Sequence, residues 1–383
     1  MILMSHGKLP KPAAYINGVR PLACGRPLPQ AEGVAWILAA LDRSRGPEPT
    51  QEVKRARGLY ARLLRSDAVS SRATCVEDYH RSDWSAMTLF RADGAGATWH
   101  QPPLEERMKT FRRQADLWAD AAFGGDVASP DYLVQISCTG YDAPHAVQKL
   151  ASRKGWGATT KVLHVGHMGC YASVPAVAMA AKLVAGEVKS CRAGLLFAEM
   201  CTLHLKPGAS DDEQVVMNAL FADGAARVDV SSTPEPGALA LLDTAELLLE
   251  DSESEMTWTV SDSAFTMSLG RAVPARIKER AANFVDEFLG RHGLARRDVA
   301  RFAVHPGGPK IIDNIAAALS LNEAAISHSR AVLRERGNMS SSTLPHIWAA
   351  MKEDPNVAPG DLIVSLAFGP GLTFVANLLQ KLS

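Results

Sequence analysis

Three side chains able to act together on a thioester are each delivered at a turn. They are Cys170 in His-Met-Gly-Cys-Tyr-Ala, His305 in Val-His-Pro-Gly-Gly-Pro and Asn338 in Arg-Gly-Asn-Met-Ser-Ser. Thiols react as thiolates, and the unpaired N–H groups of a helix start lower a thiol pKa from about 8.5 by a few units. Cys170 follows a short apolar run and Gly166-His167-Met168-Gly169, then opens an apolar helix. Such a strand-to-helix turn exposes and polarises a sulfur as a nucleophile elbow does a serine, although the same pattern suits a structural cysteine at a helix start. His305 ends the run Phe302-Ala303-Val304 and is followed by Pro306-Gly307-Gly308-Pro309. Strand ends in open α/β sheets are where sites gather. Asn338 follows Gly337, the expected glycine stop of the preceding helix. An imidazole and an amide donating to one oxygen stabilise an enolate or tetrahedral oxyanion, each worth on the order of 3 kcal/mol in a dry site. The set points to acyl transfer on thioesters.

Other histidines compete for the role. His164 lies within an apolar run expected to be a buried strand, and His167 lies in the Cys170 turn, so either can be a satisfied structural imidazole. His100, His204 and His346 do not leave a strand into a Gly-Gly turn that would aim them. No cluster has metal-ligand spacing and no Gly-x-Gly-x-x-Gly or P-loop pattern occurs, so neither a metal nor a nucleotide redox cofactor is expected. The six cysteines form no Cys-x-x-Cys pair and are too scattered for a disulfide framework.

The elements that must position these residues alternate along the chain. Apolar periodicity predicts helices over 31–42, 52–64, 104–123, 173–184, 275–290, 311–319 and 324–336. Short apolar runs bounded by Gly, Pro or charge predict strands over 132–137, 161–165 and 193–197, buried on both faces. Further strands are expected over 302–304, 362–366 and 373–377, the last two around Phe368-Gly369-Pro370-Gly371. Ser-Ser-Thr-Pro-Glu-Pro at 231–236 cannot continue a helix or a central strand. It divides the chain into an N-terminal half, 1–232, with the cysteine, and a C-terminal half, 233–383, with the histidine and asparagine.

With 383 residues, the chain exceeds what one core usually supports. Its 41 basic and 41 acidic side chains leave no net charge to draw a polyanion, so nucleic acid is not an expected partner. No stretch approaches the roughly 18 apolar residues of a membrane span, and the first residues lack a long apolar segment; a cytoplasmic location is expected.

Five fragments in order carry a family resemblance: Gly169-Cys170-Tyr171-Ala172, Ala219 to Ala226 (Ala-Leu-Phe-Ala-Asp-Gly-Ala-Ala), His305 to Pro309, Gly337 to Ser341, and Phe368 to Thr373. Through them the chain resembles the type III polyketide synthases of the chalcone synthase superfamily from about residue 130 to the end. The resemblance implies an α/β, thiolase-like αβαβα layered fold of two pseudo-symmetric halves and a homodimer. It implies that Cys170 takes a starter acyl group from an acyl-CoA. His305 and Asn338 would hold the enolate left when malonyl-CoA loses CO₂, and iteration and cyclisation to a pyrone, resorcinol or phloroglucinol-type product would follow. No organic cofactor is implied beyond the CoA thioester substrates.

Phe221 matches the family's gatekeeper, and Phe368 would shape the cavity together with Ser340. Where plant relatives place a small glycine, a phenylalanine and two threonines, this chain has Trp258, Met267, Cys201 and His204, which redraws the cavity and disfavours a coumaroyl starter. For CoA the resemblance points to Arg62 and Arg65, within the basic run Lys54, Arg55, Arg57, Arg62 and Arg65, and to Gly307, Gly308 and Lys310 beside the His305 turn. An acyl carrier protein remains a second donor. Two alternatives stay open: a single-condensation ketoacyl synthase of the third class, and an inert acyl-binding partner of the same fold.

Overall fold

The structure is a computed structural model describing residues 9–45, 50–91, 102–125, 128–185 and 190–383. Along the chain lie β1 (Ala14–Pro21), β2 (Arg26–Pro29), α1 (Gln30–Arg45), α2 (Gln51–Arg65), β3 (Ser71–Thr74), α3 (Leu104–Phe123), β4 (Tyr132–Ser137), α4 (Ala146–Arg153), β5 (Lys161–Gly166), α5 (Ser173–Ala185) and β6 (Arg192–Met200). There follow α6 (Asp212–Leu220), β7 (Asp223–Ser231), β8 (Leu239–Leu248), β9 (Met256–Val260), β10 (Phe265–Leu269), α7 (Val273–Gly290), β11 (Arg301–Val304), α8 (Pro309–Leu319), α9 (Glu323–Arg336), α10 (Thr343–Glu353), β12 (Leu362–Gly369) and β13 (Thr373–Lys381).

Nine strands form one sheet in the order β11-β12-β13-β8-β1-β7-β6-β4-β5. β4 runs parallel to β5 and β6, β11 runs parallel to β12, and the remaining pairs are antiparallel. β5 and β11, both in parallel pairs, each end at a turn into a helix, and those two turns carry Cys170 and His305.

Helices α5 and α10 share one core with the strands, through Val177 and Ala181 on one and Ile347 and Trp348 on the other. α5 is built largely of Ala, Val, Met and Leu because it is covered on most sides; Lys182 and Ala185 are its exposed residues. A second core lies under α1 to α4 and α6, and a third under α7, α8 and α9. Local rules fit the boundaries. Thr50 accepts from the Val53 N–H to cap α2, whose Val53, Ala56 and Tyr60 face inward, and Pro309 occupies the first turn of α8, where a missing N–H is harmless.

One expectation is corrected. The run 161–165 is not buried on both faces: β5 closes the sheet, so only one edge is paired, and Leu163 is 37% exposed. β4, with neighbours on both sides, is buried throughout.

Candidate active site

Cys170 sits in a tight elbow between β5 and α5. His167 (φ 60°) and Gly169 (φ 81°) both take the left-handed conformation, and a Cβ at Gly169 would stand 3.1 Å from the Pro370 ring. Glycine is needed there to let the elbow press against the loop at 368–371. The helix begins at Ser173, three residues beyond the sulfur, and Cys170 remains partly exposed to the cavity. The acidification expected from the helix end is outweighed. Burial pushes the Cys170 thiol up to about 11, Glu199 adds to the rise, and the Ser340 hydroxyl and Asn338 amide oppose it. At rest this sulfur is a protonated thiol.

His305 directly follows β11, and its backbone N–H donates to Leu366 O at 2.7 Å. Pro306-Gly307-Gly308 then turns the chain into α8. The imidazole is 2% exposed with neither ring nitrogen partnered, and burial drives its pKa to about 3, so it is neutral. Gly337 closes α9 at φ 74°, and a Cβ there would meet Leu220 O at 2.8 Å. That close approach lets Asn338 form a β-bridge with Phe221 and donate its N–H to Leu220 O at 2.8 Å. The Asn338 Oδ1 accepts from Ser340 N at 2.9 Å, which fixes the amide orientation, while the buried Nδ2 has no partner.

Cys170, His305 and Asn338 line one cavity of about 420 Å³ with Phe221, Gly307, Gly308 and Phe368. Phe368 is braced edge-on by Phe374 at 4.9 Å. Its walls toward solvent are apolar, including Leu59, Leu63, Val273 and Ile277, with Arg62 and Lys310 as the cationic lining residues. Arg65, one turn beyond Arg62, is exposed and does not line it. Arg55 and Arg57 are engaged by Asp212 and Asp42.

Behind Cys170 lies a second, small space of about 30 Å³ lined by Cys201, His204, Trp258, Met267 and Ser340; Phe221 and Met267 border both cavities. Trp258, opposite Met267 in the β9–β10 hairpin, donates its indole N–H to Cys138 O at 2.6 Å. His204 stacks on Phe265 at 4.4 Å, presents Nε2 to Thr139 O at 2.7 Å and receives the Phe265 N–H on Nδ1 at 3.1 Å. Those two bonds require the tautomer with the proton on Nε2 and leave the ring no freedom to turn; burial drives its pKa to about 3.

The rival histidines are placed elsewhere. His167 Nε2 bonds Trp258 O at 2.7 Å and ties the hairpin to the elbow. His164 is half-buried beside His145 on the edge strand, a correction to its expected place in a buried layer. His346 Nδ1 bonds Ser342 O within α10 and the turn before it, and His100 lies outside the described residues. Sequence reasoning missed Glu199. It is fully buried and accepts from the Ser341 hydroxyl, from the Thr139 hydroxyl at 2.7 Å and from Cys138 N at 3.1 Å. It thereby joins the Asn338 loop to the end of β4, and burial raises its pKa. The available signal was an acid closing the apolar run Leu195 to Ala198. Among the described residues no group of three His, Cys, Asp or Glu could hold a metal, and no helix is long and apolar enough to cross a membrane.

Comparison with known proteins gives this geometry a family. Residues 104–234 match the N-terminal domain, and residues 240–383 the C-terminal domain, of the chalcone and stilbene synthases. The chain belongs to that family. As a type III polyketide synthase it is 31% identical to the 1,3,6,8-tetrahydroxynaphthalene synthase of Streptomyces peucetius subsp. caesius over 68% of this chain and 70% of the relative. It is 29% identical to the alpha-pyrone synthesis polyketide synthase-like Pks18 of Mycobacterium tuberculosis over 65% and 64% of the two chains. Its fold is the thiolase-like α/β fold of the family. The solved structure of PKS-I from the brown alga Ectocarpus siliculosus superposes with a TM-score of 0.82, at 25% identity and 98% coverage of each chain.

Proposed function

We propose that this polyketide synthase loads a starter acyl group from an acyl-CoA onto Cys170 and extends it with malonyl-CoA. The observation that carries the reading is a pair of unmet polar groups: the His305 ring nitrogens and the Asn338 Nδ2 are buried, unpartnered and in the same cavity as Cys170. Buried donors left without partners at a cost of about 1–3 kcal/mol each call for an explanation, and a thioester oxygen that gains charge supplies one. In the condensation, the C–CO₂ bond of malonyl-CoA breaks and its electron pair enters an enolate. The neutral His305 N–H and the Asn338 amide hold that enolate's oxygen. The enolate carbon attacks the acyl thioester on Cys170, the sulfur leaves as thiolate, and a β-ketoacyl-CoA remains for a further cycle. Loading requires loss of the proton from a thiol raised to about 11, and with burial holding His305 at about 3 that proton ends on the CoA thiolate released as the acyl group moves to Cys170.

Arg62 and Lys310 line the large cavity, which supports their meeting the CoA phosphates, with Arg65 on the same helix adding to the positive field. The chemistry needs no resident cofactor, because decarboxylation drives it. The half containing Cys170, 1–232, and the half containing His305 and Asn338, 233–383, then act as two faces of one site. A homodimer is supported by β5, whose outer edge has no strand partner among the described residues, with Leu163 and Tyr141 exposed beside it. The inner space of about 30 Å³ behind Cys170 supports a short starter and a small product of pyrone, resorcinol or phloroglucinol type rather than a bulky aromatic starter. The same observation favours a second reading, a single condensation that releases a linear β-ketoacyl product.

The test incubates purified protein with malonyl-CoA and a panel of acyl-CoAs and reads CO₂ release and product masses. Extended, cyclised products from the native protein and none from Cys170→Ala are expected. Equal products from both would sink the mechanism, and a linear diketide as sole product would select the second reading.

A further inference from the structure

Away from the acyl cavity, the fold brings together two cysteines that catalysis does not use. Cys24 lies between β1 and β2, Cys75 directly follows β3, and their sulfurs stand 3.2 Å apart although 51 positions separate them. The contact is built by the backbone. Gly25 adopts φ 52°, and a Cβ there would come within 1.8 Å of Thr74 O, so the two segments meet at their closest approach where only glycine fits. Arg26 pairs with Thr74 in the β2–β3 register. Cys75 is also held from below. Its N–H donates to Asp223 Oδ2 at 2.7 Å, while Oδ1 of that fully buried carboxylate takes the Thr202 N–H at 2.8 Å.

Both cysteines are half-buried, and Cys24 opens on a cavity of about 180 Å³ shared with Gly25, Arg72, Asp223 and Met339. That space admits a peroxide or one arm of a small disulfide. Three positions before Cys75, the buried Arg72 donates from one guanidinium nitrogen to Phe221 O at 2.8 Å and Asn218 O at 2.7 Å, and from Nε to Gln30 at 2.8 Å. The strand leading into Cys75 thus holds, through Arg72, the backbone of the residue between the two active-site cavities.

We propose that Cys24 and Cys75 form a reversible disulfide by exchange with a small-molecule disulfide of the glutathione type, and that the bond locks β3 and, through Arg72, the Phe221 segment. In the first step one protein thiolate attacks the small disulfide, making a mixed disulfide and releasing one glutathione thiolate. The second protein thiolate then displaces the other glutathione. Two protein thiols lose two electrons, the small disulfide gains them, and the two protons end on the released thiols. Closing the sulfurs from 3.2 Å to a bond of about 2.05 Å is a movement of about 1 Å, within side-chain rotation. Burial, with Cys75 next in weight, raises the Cys24 thiol well above its ordinary value, so closure quickens as pH rises.

The experiment uses Cys170→Ala protein, so that the thiol of the acyl site cannot compete, treated with oxidised glutathione in mildly alkaline buffer. Free thiols are then alkylated and the digest mapped. A linked Cys24–Cys75 peptide pair is expected, reversed by dithiothreitol, with slower amide exchange over 71–74 and 218–222. Adding Cys24→Ala should leave Cys75 carrying a stable glutathione adduct. The proposal is overturned if both cysteines stay fully alkylatable in folded protein, or if either links to another cysteine instead. A bond formed without slower exchange in those two segments refutes the lock. None of these readouts depends on polyketide synthesis.

Discussion

Replacing Trp258 with glycine tests what limits the product. The change removes a ring that touches His204 at 5.7 Å and Phe265 at 5.9 Å between centroids, and an N–H bonded to Cys138 O at 2.6 Å. A void left by Leu→Ala in a sealed core measures about 150 Å³ and indole is larger, so the inner space grows from about 30 Å³ to roughly 200 Å³. That admits several two-carbon units behind Cys170. The stranded carbonyl costs about 1–3 kcal/mol, and the lost half-buried ring adds about 2 kcal/mol. Together they lower Tm by about 10 °C at most in a chain of this size, which leaves a folded protein for assay. With one acyl-CoA starter and malonyl-CoA, product masses should rise by whole two-carbon ketide units while turnover persists, because Cys170, His305 and Asn338 are untouched. Unchanged product masses from a folded variant would refute the idea that this ring sets chain length. Complete loss of malonyl decarboxylation in a folded variant would show that the hairpin serves catalysis instead.

His305→Ala and Asn338→Ala should each slow CO₂ release from malonyl-CoA by about 10²–10³-fold; a double variant no slower than the worse single one would mark the two donors as one unit, whereas unaffected rates in either single variant would remove that residue from the oxyanion site. The two half-reactions should also differ in pH dependence. Burial lowers the His305 pKa to about 3, so the imidazole is neutral at every higher pH, and decarboxylation by Cys170→Ala protein should be flat from mildly acid to mildly alkaline buffer. Alkylation of Cys170 by iodoacetamide needs the thiolate of a group raised to about 11, so its rate should climb about tenfold per pH unit through the neutral range. A decarboxylation profile that titrates near 6.5 would contradict the neutral, buried imidazole.

Much of the site could be read directly because its residues sit at boundaries with strong local chemistry. Gly169 and Gly337 occupy left-handed positions, and Pro306 to Pro309 stop one element and start another, so the elbow and both donor turns followed from residue types alone. α3 and β4 matched their predicted limits, since periodic apolar spacing and buried runs are one-dimensional signals. β1, β7 and β8 escaped detection. Their hydrogen-bond partners lie far away in the chain, with Tyr15 opposite both Ser231 and Ala240, and strand pairing of that range leaves little local trace. The hairpin of β9 and β10 was missed too, although its partners are local, with Val260 opposite Phe265, and although Trp258 and Met267 were singled out.

The sequence alone was enough to pick out Cys170, His305 and Asn338, which the structure brings to one cavity, because each depends on a backbone turn specified within about six residues. It also named the family, since those turns recur in one order. Tertiary structure was needed for everything that depends on distance between segments. Burial outweighs the helix end at Cys170 and leaves its thiol protonated, and Arg62 rather than Arg65 reaches the cavity wall. Glu199 ties the Asn338 loop to β4, Trp258 and His204 close the space behind the sulfur, and Cys24 meets Cys75. Solvation and volume are properties of what surrounds a side chain, and here those surroundings come from residues that lie far apart along the chain.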